Sequence, residues 1–149
     1  MIWVTRAGAM VDRIACPWLI KKFVDSEAEF IYVSSGMVKE VAEKEGAIPF
    51  DAEGVELNHW QENGVEHVSF DAIIKKYNLK DSALLDLAKI VRGADASVPH
   101  DAPPESTGLK AAARGFKNMC TDDYDNIERQ FPMYDAFYMY CQLKIQAKA

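Results

Sequence analysis

No run of eighteen apolar residues occurs anywhere in the sequence, so no segment reads as a membrane span. The start, "MIWVTRAGAM", lacks both a basic opening and a long apolar stretch, which argues against a secretory signal and makes the cytoplasm the expected compartment. Paired cysteines are also missing. Cys16, Cys120 and Cys141 are widely separated and odd in number, so neither a disulfide framework nor a zinc ribbon is indicated. There is no basic excess either: the net charge of −6 gives no general counterpart to phosphate, and direct DNA binding is not expected. Phosphate-cradling glycine loops, nucleophile elbows, internal repeats and low-complexity linkers are absent as well.

What is present divides into two halves. "IWVT" (Ile2 to Thr5) and "EFIYV" (Glu29 to Val33) are short β-prone runs, with a helix candidate between them. Ser35 is placed to cap a helix through "GMVKEVAEKEG", with Gly46 as its stop. "AIPF" and "VELNH" follow as short strands around the turn-like "DAEG". The second half is helical: Ser69 opens "FDAIIKKYNL", and Asp81 or Ser82 caps "ALLDLAKIVRG". A proline-bearing connection, "DASVPHDAPPES", then leads into "TGLKAAARGF". The last segment, from Thr121 to about Ala147, should be broken or kinked at Pro132. The expected fold is therefore α+β, a small mixed β-sheet (N-terminal β-α-β-α-β-β) packed with a helical C-terminal half.

The stretch "RAGAMVDRIACPWLIKKF" gathers Arg6, Asp12, Arg13, Cys16 and Pro17. A helix starting at Asp12 would hold Pro17 in its interior, at a cost of about 3 kcal/mol. A start near Cys16 puts Pro17 at the first helical position, where its missing N–H is harmless. That second arrangement, or a first turn reset at Pro17, is the expectation. Arg6, Asp12 and Arg13 then lie on the connection between strand and helix, the edge where α/β sheets bind ligands. Arginines beside free N–H groups favour an anion, while Asp12 can orient an arginine or ligate a cation. The competing reading makes Asp12–Arg13 a cap beside a surface ion pair. Cys16, if at a helix start, has a stabilised thiolate; otherwise it is a buried thiol.

The blocks "WVTRAGAMVDRIACPWLIKKFVD", "IPFD", "LNH", "SFDAI", "IVRGAD" and "PESTGL" together resemble the C-terminal domain of the chromate-resistance ChrB-type proteins. The likeness runs from Trp3 to about Gly115 and more weakly through "YDAFYMYC", which implies one such domain over residues 1–149. It further implies a part in bacterial chromate resistance, as a sensor or auxiliary module. In longer relatives a preceding domain is the part expected to touch DNA. The resemblance also directs attention to Asp51, His59 and Asp95.

Asp51 and His59 each end a short apolar run with a group able to bind metal or move a proton. With Asp12 they suit a divalent metal such as zinc or iron, provided the elements carrying them converge. His59 is equally the candidate acid–base residue of an enzyme. Arg6 and Arg13 would then hold a small oxyanion such as chromate or sulfate. Cys16, Trp60, Asp95 and Glu105 are expected to line or support the pocket, although Glu105 first reads as a favourable charge at a helix start. His67 reads as a surface residue, and His100 as a loop residue. Tyr134, Phe137, Tyr138 and Cys141 recur at helical spacing, which suits core packing or a homodimer interface.

Overall fold

The structure is a computed structural model that describes residues 1–148. Three strands, β1 (Ile2–Arg6), β2 (Glu29–Val33) and β3 (Ile48–Pro49), form a parallel sheet in the order β2-β1-β3. Helix α1 (Asp12–Leu19) continues as a π-helical turn, Ile20–Val24, before β2; α2 (Val38–Glu45) lies between β2 and β3. A separate antiparallel hairpin follows, β4 (Trp60–Glu62) and β5 (Val65–His67). The remainder is helical: α3 (Ser69–Lys76), α4 (Ser82–Asp95), α5 (Glu105–Met119) and α6 (Asp123–Lys148). The α+β architecture is the one expected, with its parallel and antiparallel strands divided between two small sheets.

Strand alternation assigns the two faces of the parallel sheet. Trp3 enters the main core with Ile14, Trp18, Phe50, Phe70 and Leu87, whereas Val4 meets Val38, Ala47 and Ala52 beneath α2. Gly46, at φ 62°, ends α2 in the left-handed conformation that a side chain would resist. Asp81 caps α4 through the Leu84 N–H at 2.9 Å. No helix among the described residues is long and apolar enough to cross a membrane.

The expectation for Pro17 is corrected, and for Pro132 the single-helix alternative is the one found. Helix α1 begins at Asp12, so Pro17 lies inside it. The carbonyl that Pro17 leaves without an N–H partner is that of Arg13, four residues earlier. The Tyr32 hydroxyl, arriving from β2, donates to that oxygen. Burial of Ile14, Ala15, Trp18 and Leu19 supplies the remaining compensation. Asp12 and Arg13 consequently sit on the first turn of α1 rather than on the preceding connection. In α6, Pro132 interrupts hydrogen bonding within one continuous helix rather than dividing it in two; the carbonyl it frees belongs to Glu128, an exposed residue open to water.

"VELNH" is likewise not a strand. Leu57 makes one isolated parallel bridge with Phe50, and the true pairing comes afterwards, around Asn63-Gly64. Both turn residues have positive φ, 53° and 76°, as a two-residue hairpin with matching twist requires.

The N-terminal half of α6 holds the segment entering α1. The Asp123 carboxylate accepts from the Gly8 and Ala9 N–H groups, at 3.0 and 2.7 Å. Asn126, Gln130 and Tyr134, one helical turn apart, then donate in sequence to the carbonyls of Ala9, Met10 and Val11. This ladder fixes the backbone immediately before Asp12. Tyr138 is also engaged within the chain, against Trp18 and Phe23 and through its hydroxyl to Asp81.

Candidate functional site

Asp12, Asp51, His59 and Asp95, brought from four places in the sequence, meet beside the carboxyl end of the parallel sheet. Asp12 is buried, and its carboxylate caps α3 from outside: Oδ2 accepts from Ser69 N–H at 2.8 Å and Oδ1 from Phe70 N–H at 3.2 Å. A carboxylate at that position meets the positive end of the helix. Asp95 closes α4, and its Oδ1 accepts from the Asp12 N–H at 3.3 Å. Asp51 follows β3 in a left-handed conformation, φ 50°, and receives the Ser69 hydroxyl at 2.6 Å.

His59 lies just before β4 and faces all three carboxylates. Its Nε2 is 3.0 Å from Asp95 Oδ2, 3.3 Å from Asp12 Oδ2 and 3.4 Å from Asp51 Oδ1. Its other nitrogen, Nδ1, is 3.2 Å from Glu66 Oε2 on β5. One ring proton on Nε2 cannot satisfy three carboxylates. Ligand atoms of Asp12, His59 and Asp95 lie within 4.8 Å of one another, close enough to share one ion.

Arg6 and Arg13 are turned onto Asp51. Arg6 contacts Oδ2 at 3.2 Å and the Asp51 carbonyl at 2.7 Å; Arg13 reaches Oδ2 at 3.0 Å and the Gly8 carbonyl at 3.0 Å. With His59 protonated, four carboxyl groups face three cationic groups, so the cluster is one charge negative when all four are ionised.

The electrostatics follow from this crowding. Contacts with Asp12, Asp51 and Asp95 hold the His59 imidazole far above its ordinary pKa. Burial, reinforced by Asp95, pushes the Asp12 carboxyl up to about 7. Burial also disfavours the charge on Asp51, but His59, Ser69 and Arg13 outweigh it and keep that carboxyl well below the usual range. Cys16 is fully buried, and its thiol lies 3.4 Å from Asp12 Oδ1. Burial and the neighbouring Asp12 push that thiol well above its ordinary value, so the reactive-thiolate alternative for Cys16 does not hold.

The remaining nominated residues fall in different places. Trp60 lines a cavity of about 710 Å³ together with His59, Leu57, Asn58 and Lys75. Its ring stacks on His67 at 4.6 Å, with the Lys75 ammonium 5.3 Å from the centroid. Glu105 does not join the cluster; at the start of α5 it accepts from the Tyr140 hydroxyl and approaches Lys144 at 4.0 Å. His100 is exposed beside Asp101. Glu66 and Ser69 were not nominated from sequence, although the Asn63-Gly64 turn signal shows that residues on either side of it must come together.

Residues 3–141 match the family described as ChrB, C-terminal domain, and the chain belongs to that family. It is also similar to "Protein ChrB" of Cupriavidus metallidurans (strain ATCC 43123 / DSM 2839 / NBRC 102507 / CH34), 27% identical over 137 residues. That alignment covers 91% of this chain and 39% of the relative, so the chain spans well under half of the relative's length. No solved structure matches the chain.

Proposed function

We propose that this domain serves in chromate resistance by binding a divalent cation at Asp12, His59 and Asp95, acting as a sensor or auxiliary module. The observation that carries the reading is the single imidazole nitrogen faced by three carboxylate oxygens within 3.4 Å. A proton on Nε2 points at one of these oxygens at a time, whereas a divalent cation that displaces it can meet several at once. The donors, one imidazole and two carboxylates, suit zinc or iron(II). When bound, the ion supplies Lewis-acid character and coordination positions that the three protein ligands leave free.

The chain's own residues divide the remaining work. Asp51 holds Arg6 and Arg13 in place and, with Ser69, keeps its own charge beside His59. Glu66 accepts a hydrogen bond from Nδ1–H, which leaves Nε2 as the ligating nitrogen. A small oxyanion, chromate or sulfate, would approach beside the Arg6 and Arg13 guanidiniums, with Arg6 the more open at 38% exposure. In the acid–base alternative the same carboxylates favour the charged imidazole and so suit His59 to give a proton rather than to take one.

A thermal-shift series with zinc, iron(II), manganese, chromate, sulfate and phosphate tests the proposal. Stabilisation of about 2.7 kcal/mol is expected when a true ligand is present at a hundred times its Kd. No shift with any cation, or a shift unchanged in Asp95→Ala, would refute it.

A further inference from the structure

We propose that Glu66 is a positioning residue that couples cation binding at His59 to the backbone connection between α4 and α5. The inference rests on the cation-site reading above and adds a residue and a regulated segment to it. The geometry is a three-way junction on one carboxylate. Glu66 Oε2 accepts from Ser97 N–H at 2.9 Å and faces His59 Nδ1 at 3.2 Å, while Oε1 accepts from Val98 N–H at 3.2 Å. The Glu66 side chain is 10% exposed, while the Ser97 and Val98 amides it holds lie at the surface.

The connection depends on that carboxylate. Ala96 N–H still bonds back to Arg92 in α4, and Ser106 N–H is satisfied by Pro103 at the start of α5. Between these points, among the described residues, the hydrogen bonds tying residues 97–102 to another element are the two made to Glu66. A single side chain therefore reads the state of His59 on one side and anchors the connection on the other.

The direction of coupling follows from imidazole chemistry. A metal-ligating histidine commonly gives its second ring N–H to a carboxylate, which fixes the tautomer and aims the ring. A proton on Nε2 leaves the ring shared among three carboxylates, whereas a cation there, held by Asp12 and Asp95, fixes the ring and keeps Nδ1–H on Glu66 in the position that serves Ser97 and Val98. Occupancy of the site thus tightens residues 97 and 98. By thermodynamic reciprocity, loss of the connection's contacts weakens cation binding by the same factor.

The test combines zinc calorimetry with hydrogen–deuterium exchange on the full chain, using the wild type, Glu66→Gln and Glu66→Asp. The aspartate keeps the charge but shortens the reach, and serves if the glutamine variant folds poorly. The proposal expects the zinc Kd to rise roughly 10- to 100-fold in either variant. It also expects zinc to slow exchange at the Ser97 and Val98 amides about tenfold or more in the wild type, and not in the variants at saturating zinc. Zinc binding by the wild type with Ser97 and Val98 exchange unchanged, or a Kd within twofold in both variants, would overturn the coupling alone. A wild type that binds no zinc would overturn the cation site and the coupling together, and so separates the two failures.

Discussion

Removing the Tyr32 hydroxyl probes how α1 tolerates an internal proline directly behind a site residue. Pro17 has no N–H to give the Arg13 carbonyl, and the Tyr32 hydroxyl supplies the missing donor. Burial raises the Tyr32 phenol well above its ordinary pKa, so it stays a donor across the working pH range. Tyr32→Phe keeps the ring against Tyr124 and deletes only the donor. A carbonyl left without a partner in this half-buried place should cost about 1–3 kcal/mol. For a chain of this length that corresponds to a fall in Tm of roughly 2–12 °C. In a Pro17→Ala background the restored backbone N–H can reach the Arg13 carbonyl, and Tyr32→Phe should then cost about 0.5 kcal/mol. Urea unfolding of the four proteins in a double-mutant cycle measures the difference. A coupling of about 0.5–2.5 kcal/mol is expected. Additivity within about 0.5 kcal/mol would show that the hydroxyl does not replace the proline's missing donor, and the account of α1 would fail.

Other perturbations address the site and its surroundings. His59→Ala should abolish zinc stabilisation and, by leaving three carboxylates without their imidazolium, lower the metal-free stability by roughly 2–4 kcal/mol, a figure reduced for partial exposure and read from urea unfolding. Gly64→Ala forces a side chain onto φ 76° and should cost about 1–2 kcal/mol while weakening zinc binding, whereas Gly64→Asn should cost less; equal losses from both would contradict the turn argument. The Trp3 indole N–H and the N-terminal ammonium hold the Asp25 carboxyl below its ordinary 3.8. Its stabilising effect is therefore complete above that value and disappears as the pH falls through the lower folded value. Asp25→Asn should lower Tm at pH 6 and converge with the wild type only as the pH falls through the lowered folded value, and a gap that widens in acid would reverse the sign. Thiol titration of the native chain should find Cys120 accessible, with Cys16 silent and Cys141, whose thiol burial and Asp86 push up to about 12, silent as well; rapid labelling of Cys16 would contradict its burial.

Local signals were legible in the sequence wherever one residue decides the outcome. The strand Glu29–Val33, the stop at Gly46 and the Asp81 cap depend on nearby chemistry, and each is found where its residues place it. Pro17 shows where that reasoning ends: its local penalty is real, but the compensating hydroxyl lies fifteen residues away on another element. The hairpin is a different case. "VELNH" has the apolar alternation of a strand, but the pairing is set by Asn63-Gly64, the stronger turn signal a few residues later. At the site, residue chemistry nominated Asp12, Asp51 and His59, and family resemblance added Asp95. Their convergence depends on the α6 ladder onto the segment before α1, a contact across more than a hundred residues that no local pattern reveals. Glu105 shows the converse, since a carboxylate at a helix start is favourable there without any ligand.

The most direct measurement is a zinc-edge anomalous difference map from crystals grown with one equivalent of zinc. The account predicts one dominant peak about 2.0–2.2 Å from His59 Nε2 and from a carboxylate oxygen each of Asp12 and Asp95. A map whose peaks lie only at exposed surface groups, with His59 still bonded to its carboxylates, would contradict it.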